Sequence, residues 1–257
     1  MKIVNKSNIP DSLFRYLAMD YYDYEIKGDS FSATELLNPI QMVVLKRRHW
    51  DEIEVDAIDK VWSVFGDGVH GRLEKEPGIE KIERLKVTVE GREVSGKWDR
   101  IFENEITDYK VTSVFTYMYG SRNKEFMLQL SIYRWLYFKV KGVLLNEVGK
   151  IVEIFRDWAE RDKKKKNYPQ RAAEEVKFNL LSPEQTEQFV TNKVRAIIEA
   201  EKLSDDKLPR CSDEDRWYKP STRTYGRCAK YCDVSKFCHQ FKKEKEMESI
   251  EWGVELG

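Results

Sequence analysis

A mixed α/β (α+β) fold, with a central mixed β-sheet flanked by helices, is what this sequence predicts. Three observations carry that expectation. Residues 85–113 alternate apolar and polar side chains with the period of a strand. Residues 121–142 and 182–203 carry apolar residues at helical spacing. Hydrophobic residues make up 41% and aromatics 12% of 257 residues, enough for one packed core or a core with a small appendage.

In chain order, residues 1–60 read as helical and mixed. The stretch FSATELLNPIQMVVLKRRHW offers a capping Ser or Thr ahead of an apolar run. Residues 58–78 place Val61, Trp62, Phe65, Val69 and Leu73 at helical spacing, with Gly66 and Gly68 predicting an interruption between two short helices. Three segments, ERLKVTVEG, REVSGKWDRIF and EITDYKVTS, then read as a three-stranded antiparallel meander. A helix follows over 121–142, strands over 150–159 and 176–181, and a helix over 182–203 capped by Ser182. After Pro209 the composition turns to Cys, Trp, Tyr and charged residues, which suggests a boundary between 1–208 and 209–257.

Lys+Arg and Asp+Glu are both 45, so the net charge argues neither for nor against a nucleic-acid partner, and any basic site is local. The run Lys163–Lys166 is either a solvated loop or a polyanion contact. No apolar run is long enough for a membrane span, and the N-terminus lacks the apolar core of a signal peptide. A cytoplasmic protein is therefore expected, and in a reducing compartment four cysteines point to metal or reactive thiols more than to disulfides.

Chemistry concentrates in the meander. Asp108 and Lys110 are two residues apart on a strand and share a face. Asp99, one strand earlier, can stand beside Asp108 across a hairpin. Two carboxylates that close repel, and a divalent cation with a preference for oxygen ligands, Mg²⁺ or Mn²⁺, relieves the repulsion. A lysine next to them could orient a water or stabilise developing charge on a phosphate. His70 and Glu74 are four apart on a helix and share a face, and either caps the helix or delivers a further ligand. Gln129 and Tyr133 have the same spacing on the helix after Lys110, as core or as polar contacts to the site.

The order of these motifs, G-x-x-x-H (Gly66 to His70), G-x-x-D (Gly96 to Asp99), D-x-K and Q-x-x-x-Y, resembles the RecB-like branch of the PD-(D/E)XK nuclease superfamily. The resemblance implies a restriction-endonuclease-like core. It implies His70, Asp99, Asp108 and the Tyr109 backbone carbonyl as ligands of Mg²⁺ or Mn²⁺, with Glu74 as an extra acidic residue. It further implies Lys110 as the catalytic lysine, with Gln129 and Tyr133 contacting the site. The implied activity is hydrolysis of DNA phosphodiesters, as an exonuclease in recombination, repair or phage DNA processing, alone or with a helicase or recombination partner. A structure- or sequence-specific endonuclease and a non-catalytic nucleic-acid binding protein are the alternatives.

Cys211, Cys228, Cys232 and Cys238 are spaced C-x16-C-x3-C-x5-C, which suggests one zinc or iron–sulfur centre. CAKYCDVSKFC resembles the closely spaced C-terminal cysteines of iron–sulfur nucleases in this group, CRISPR-associated ones included, and implies a [4Fe–4S] cluster. The fourth cysteine of those relatives precedes the His motif. Here Cys211 would take its place, and His239 is a rival ligand for zinc.

Overall fold

The computed structural model describes residues 1–19, 28–73 and 83–245. Two compact units divide the chain. One comprises Met1–Lys27, Asn38–Asp59 and Lys193–Gly257, and the other Gly28–Leu37 and Lys60–Asn192. The elements, in chain order, are β1 (Lys2–Val4), α1 (Asp11–Ala18), β2 (Ser30–Ser32), α2 (Ile40–Arg48), β3 (Glu54–Asp56), α3 (Ala57–Lys60) and α4 (Ser63–Leu73). Then come β4 (Leu85–Val89), β5 (Arg92–Gly96), β6 (Arg100–Phe102), β7 (Glu105–Thr112), α5 (Val114–Tyr119) and α6 (Asn123–Lys141). The last are β8 (Val148–Phe155), β9 (Ala173–Asn179), α7 (Pro183–Glu201), α8 (Asp213–Arg216), β10 (Tyr218–Lys219), β11 (Thr224–Tyr225) and α9 (Gly226–Lys230). Among the described residues no helix is long and apolar enough to cross a membrane.

In the first unit β1 and β3 pair in parallel. The expected Ser/Thr cap does not start α2, which begins after Pro39 with no side-chain cap. Instead, in the second unit, the Ser32 hydroxyl accepts from the Glu35 N–H at 3.1 Å and opens a short 3-10 turn. Arg48 of α2 donates to the carbonyls of Glu201 at 2.9 Å and Leu203 at 2.6 Å, satisfying the C-terminal end of α7. His49 stands between Glu52 at 2.7 Å and Asp205 at 2.8 Å and stacks on Phe237 at 4.0 Å.

The second unit holds two mixed sheets. One has the order β2-β5-β4, with β2 parallel to β5 and β4 antiparallel to it. The other has the order β6-β7-β8-β9, in which β7 and β8 are parallel and both outer pairings are antiparallel. The expected continuous meander is therefore split. Residues 97–99 leave the extended ladder, and β5 and β6 join different sheets, because β5 is already paired on both edges by β2 and β4. The expected interruption at Gly66 and Gly68 also fails. α4 runs unbroken through both glycines, and the break falls earlier, at Val61 and Trp62. Each glycine costs the helix about 1 kcal/mol in propensity, and the packing of α4 on β7 overrides it.

Over both sheets lies α6, which packs on β4, β5, β7 and β8. Ten of its residues are buried, among them Phe126, Leu130, Ile132, Trp135 and Leu136 at its centre. Its approach needs two glycines. A Cβ on Gly96 would lie 2.7 Å from Leu136 Cδ1 and 2.9 Å from the Tyr133 ring. One on Gly149 would meet Leu130, Ile106 and Leu180 at 3.1–3.2 Å. The helix α7 starts as its sequence suggests: Ser182 Oγ accepts from the Gln185 N–H at 3.2 Å and the Gln185 side chain accepts from the Ser182 N–H at 2.9 Å. Within the lysine run, Lys163 pairs with Glu160 at 2.8 Å and Lys165 with Asp162 at 2.9 Å, so part of that charge is neutralised locally.

The Gly96→Ala variant is expected to lose roughly 1–3 kcal/mol by overpacking, since the Tyr133 ring cannot rotate away without giving up its hydrogen bond. Thermal denaturation should show a larger fall in Tm for Gly96→Ala than for Gly149→Ala, whose clash is milder. Equal Tm values for Gly96→Ala and wild type would refute the close approach.

Candidate active site

Strand β7 sets the centre of the site. Its alternation turns Ile106, Asp108, Lys110 and Thr112 to one face. Asp108 is 2% exposed. Lys110 Nζ lies 2.5 Å from Asp108 Oδ2, an oxygen that accepts no well-aligned hydrogen bond. Burial is the largest influence on Asp108 and pushes its carboxyl up to about 6. The Lys110 ammonium opposes that shift and the Asp99 carboxylate adds to it.

Asp99 falls in the bend between β5 and β6, one residue short of β6, and not within the expected strand. That position lets it do two things a strand residue could not. Its Oδ2 accepts the Tyr109 backbone N–H at 2.7 Å, and its Oδ1 lies 2.9 Å from His70 Nδ1. Strand β6 pairs with β7 only up to Thr107, so the Asp99 side chain takes over the next ladder position along that edge. An extended residue points its N–H and C=O to the same side, so the Tyr109 carbonyl faces the Asp99 edge too. His70 comes from α4, which packs on β7. The hydrogen bond to Asp99 is the main reason its imidazole holds a proton above the ordinary His range, and burial opposes it. With Nδ1 donating to Asp99, Nε2 is the nitrogen left for a ligand role.

From α6, the Gln129 amide donates to Tyr133 Oη at 2.7 Å, with both side chains buried. Burial first, and the nearby Asp108 charge second, hold the Tyr133 phenol in its protonated form. His70, Asp99, Asp108, Lys110, Gln129 and Tyr133 thus meet at one place. Glu74 lies outside the described residues. Glu153 on β8 was not singled out in the sequence, although KIVEIF places a lone acid among the apolar positions of an alternating strand. It is fully buried, and neither oxygen has a hydrogen-bond partner.

The four cysteines of the first unit are free thiols that line one small pocket, partly open to solvent, together with Gln41, Met42, Leu45 and Gln240. Gln41, which sequence reasoning missed, accepts from Cys211 at 3.5 Å and Cys238 at 3.4 Å. Cys228 Sγ accepts from Arg216 at 3.5 Å, and Arg216 is held in turn by Glu244. Burial pushes the Cys211 thiol up to about 12 and Cys232 up to about 11, so a metal must displace protons to bind. Among the described residues no group of three or more His, Cys, Asp or Glu is drawn together to hold an ion in this arrangement. The donor sets nonetheless suit two different metals. Carboxylates, a carbonyl and an imidazole beside the buried Asp108 carboxyl suit a hard divalent ion, and four thiols on one pocket suit a soft one.

Residues 18–239 match the family described as the PD-(D/E)XK nuclease superfamily. The crystal structure of SSO0001 is similar over 88% of this chain and 92% of that one, with a TM-score of 0.51 and 18% identity, a likeness of fold. An alkaline exonuclease (LHK-Exo) from Laribacter hongkongensis covers 68% of this chain and 92% of its own, with a TM-score of 0.37 and 9% identity. No curated protein matches the chain.

Because its folded-state pKa is raised, the Asp108 carboxyl contributes stability that is complete below about pH 4 and is lost as the pH rises through about 6. In metal-free protein, Asp108→Asn should therefore raise Tm at pH 8, by up to roughly 3 kcal/mol in stability, and leave it near wild type at pH 4.5. A lower Tm for the variant at pH 8 would contradict the burial argument.

Proposed function

Since this chain belongs to the PD-(D/E)XK nuclease superfamily, we propose that it is a metal-dependent deoxyribonuclease acting as an exonuclease on DNA ends. The observation that carries this reading is the buried Asp108 oxygen 2.5 Å from Lys110, with the Asp99–His70 pair beside it, inside the matched segment. Asp99, Asp108, His70 Nε2 and the Tyr109 carbonyl would hold a Mg²⁺ or Mn²⁺ ion. When bound, that ion supplies charge neutralisation at the scissile phosphate and a water of lowered pKa.

The chain's own groups do the rest. The Lys110 ammonium stabilises negative charge developing on the phosphate oxygens and orients the attacking water. Tyr133 accepts from Gln129, which leaves its own O–H to donate into the site. Burial keeps that proton in place at neutral pH. His70 must give up its Nε2 proton to serve as a ligand, and the Asp99 carboxylate at Nδ1 favours the doubly protonated ring, so acid favours proton over metal.

A surface for DNA lies on the same unit. Trp62 and Phe65 stack at 5.7 Å and are half exposed, and the Arg156 guanidinium lies 5.1 Å over Trp62. Phe115 and Tyr119, both strongly exposed, lie tilted to each other with ring centroids 4.5 Å apart on α5, directly after β7. Exposed aromatic faces with a guanidinium suit unstacked bases and their phosphates. In the other unit, the residues 209–257 read as a metal-clipped lobe. Their pocket of four thiols would hold a [4Fe–4S] cluster as a structural staple, because the segment is too charged and too poor in aliphatic residues to hold itself.

End-labelled linear DNA should be degraded with Mn²⁺ by wild type. Lys110→Ala should lose at least about a hundredfold in rate yet keep DNA binding by anisotropy, and Asp99→Ala and Asp108→Ala should be inactive but folded. Full activity in folded Lys110→Ala would remove the assigned role, and cutting of closed circular DNA would assign an endonuclease instead. For the thiol pocket, anaerobically purified protein should contain iron and sulfide and be brown. About one zinc per chain in colourless protein would replace the cluster by a zinc site.

A further inference from the structure

Glu153 has no part in the chemistry above, yet its position is specific. β7 and β8 pair in parallel, with Asp108 opposite Ile151 and Lys110 opposite Glu153. Paired residues of neighbouring strands present their side chains to the same face. The alternation on β8 agrees, since Gly149, Ile151, Glu153 and Phe155 are its buried residues. Glu153 therefore shares the α6-facing side with Asp108 and Lys110. Neighbouring strands stand about 4.8 Å apart, well within the reach of a lysine side chain.

A buried acid with two unpartnered oxygens is costly and calls for an explanation. The charge that lowers its pKa against burial is that of Arg122, and that guanidinium is engaged by Glu125 at 3.1 Å. Lys110, meanwhile, turns back along its own strand to Asp108. A divalent cation on Asp108 would repel the ammonium from the oxygen they both use. The ammonium then needs a second anion on the same face, close to where it began.

We propose that Glu153 is that second anion: it receives the Lys110 ammonium when a divalent cation occupies Asp108, and so positions Lys110 for the reaction. The inference rests on the nuclease reading of the site. It adds no covalent step. Burial holds the Glu153 carboxyl above the ordinary Glu range, and an ammonium beside it would favour the ionised form. Glu153 is a positioning residue, acting through Lys110 and not on the substrate.

Wild-type protein crystallised with Ca²⁺ tests this without turnover. The expected structure has Ca²⁺ on Asp108 and Lys110 Nζ within about 3 Å of a Glu153 oxygen. Lys110 still on Asp108, or turned to solvent, with the ion bound overturns the inference and leaves the nuclease reading standing. No ion at Asp108 overturns both. In parallel, Glu153→Gln should keep or raise Tm, leave KM for DNA and the half-saturating Mn²⁺ concentration unchanged, and lower kcat by about 10–100-fold. A wild-type kcat in folded Glu153→Gln, or a loss confined to Tm, overturns the proposal.

Discussion

Asp108 puts a carboxylate where water cannot solvate it, and Lys110 is the counter-charge that its own strand can place nearest. At 2.5 Å, in surroundings of low dielectric, the pair is strong, yet it does not fully offset the desolvation of the acid. That imbalance is one a bound cation would relieve. A divalent ion brings more charge than an ammonium and accepts several oxygens at once. The site is thus unfinished in electrostatic terms, and the features around it follow from that: the second carboxylate of Asp99, the His70 imidazole bound to it, and the proton kept on Tyr133.

The burial of Asp108 depends on α6. The helix can lie low enough to bury Asp108 because Gly96 and Gly149 carry no Cβ where Leu136, Tyr133 and Leu130 press in. Gly96 is also the glycine of the G-x-x-D motif. Its spacing to Asp99 has two separate physical causes: a close helix approach at one end, and at the other a chain that has left the ladder in time to present a carboxylate to the Tyr109 N–H.

The first unit follows the same logic with a softer donor set. Four thiols lie along one pocket; burial opposes the ionisation of Cys211, Cys232 and Cys238, and Gln41 accepts from Cys211 and Cys238. Arg216 and Glu244 support Cys228 from behind. Carboxylates in one unit and thiols in the other are donor sets that favour different kinds of metal ion.

What the sequence alone determined was set by short-range periodicity. Asp108 and Lys110 share a face because strand alternation is a property of three consecutive residues. Gln129 and Tyr133 touch because four residues make about one helical turn. Ser182 caps α7 through a residue three positions away. The grouping of the four cysteines on one pocket also matched their closeness in the chain. Tertiary structure decided the rest. REVSGKWDRIF reads as one strand, but β5 has both edges filled, so the chain must leave for a second sheet and Asp99 ends up in a bend. Gly66 and Gly68 read as breakers, but contact with β7 outweighs their propensity. Glu153 gains meaning only once α6 packs on β8 and parallel pairing sets it opposite Lys110. Periodicity acts within a turn or a pleat, and it cannot say which edge is already occupied, which surface a helix will cover, or which distant residue shares a hydrogen bond.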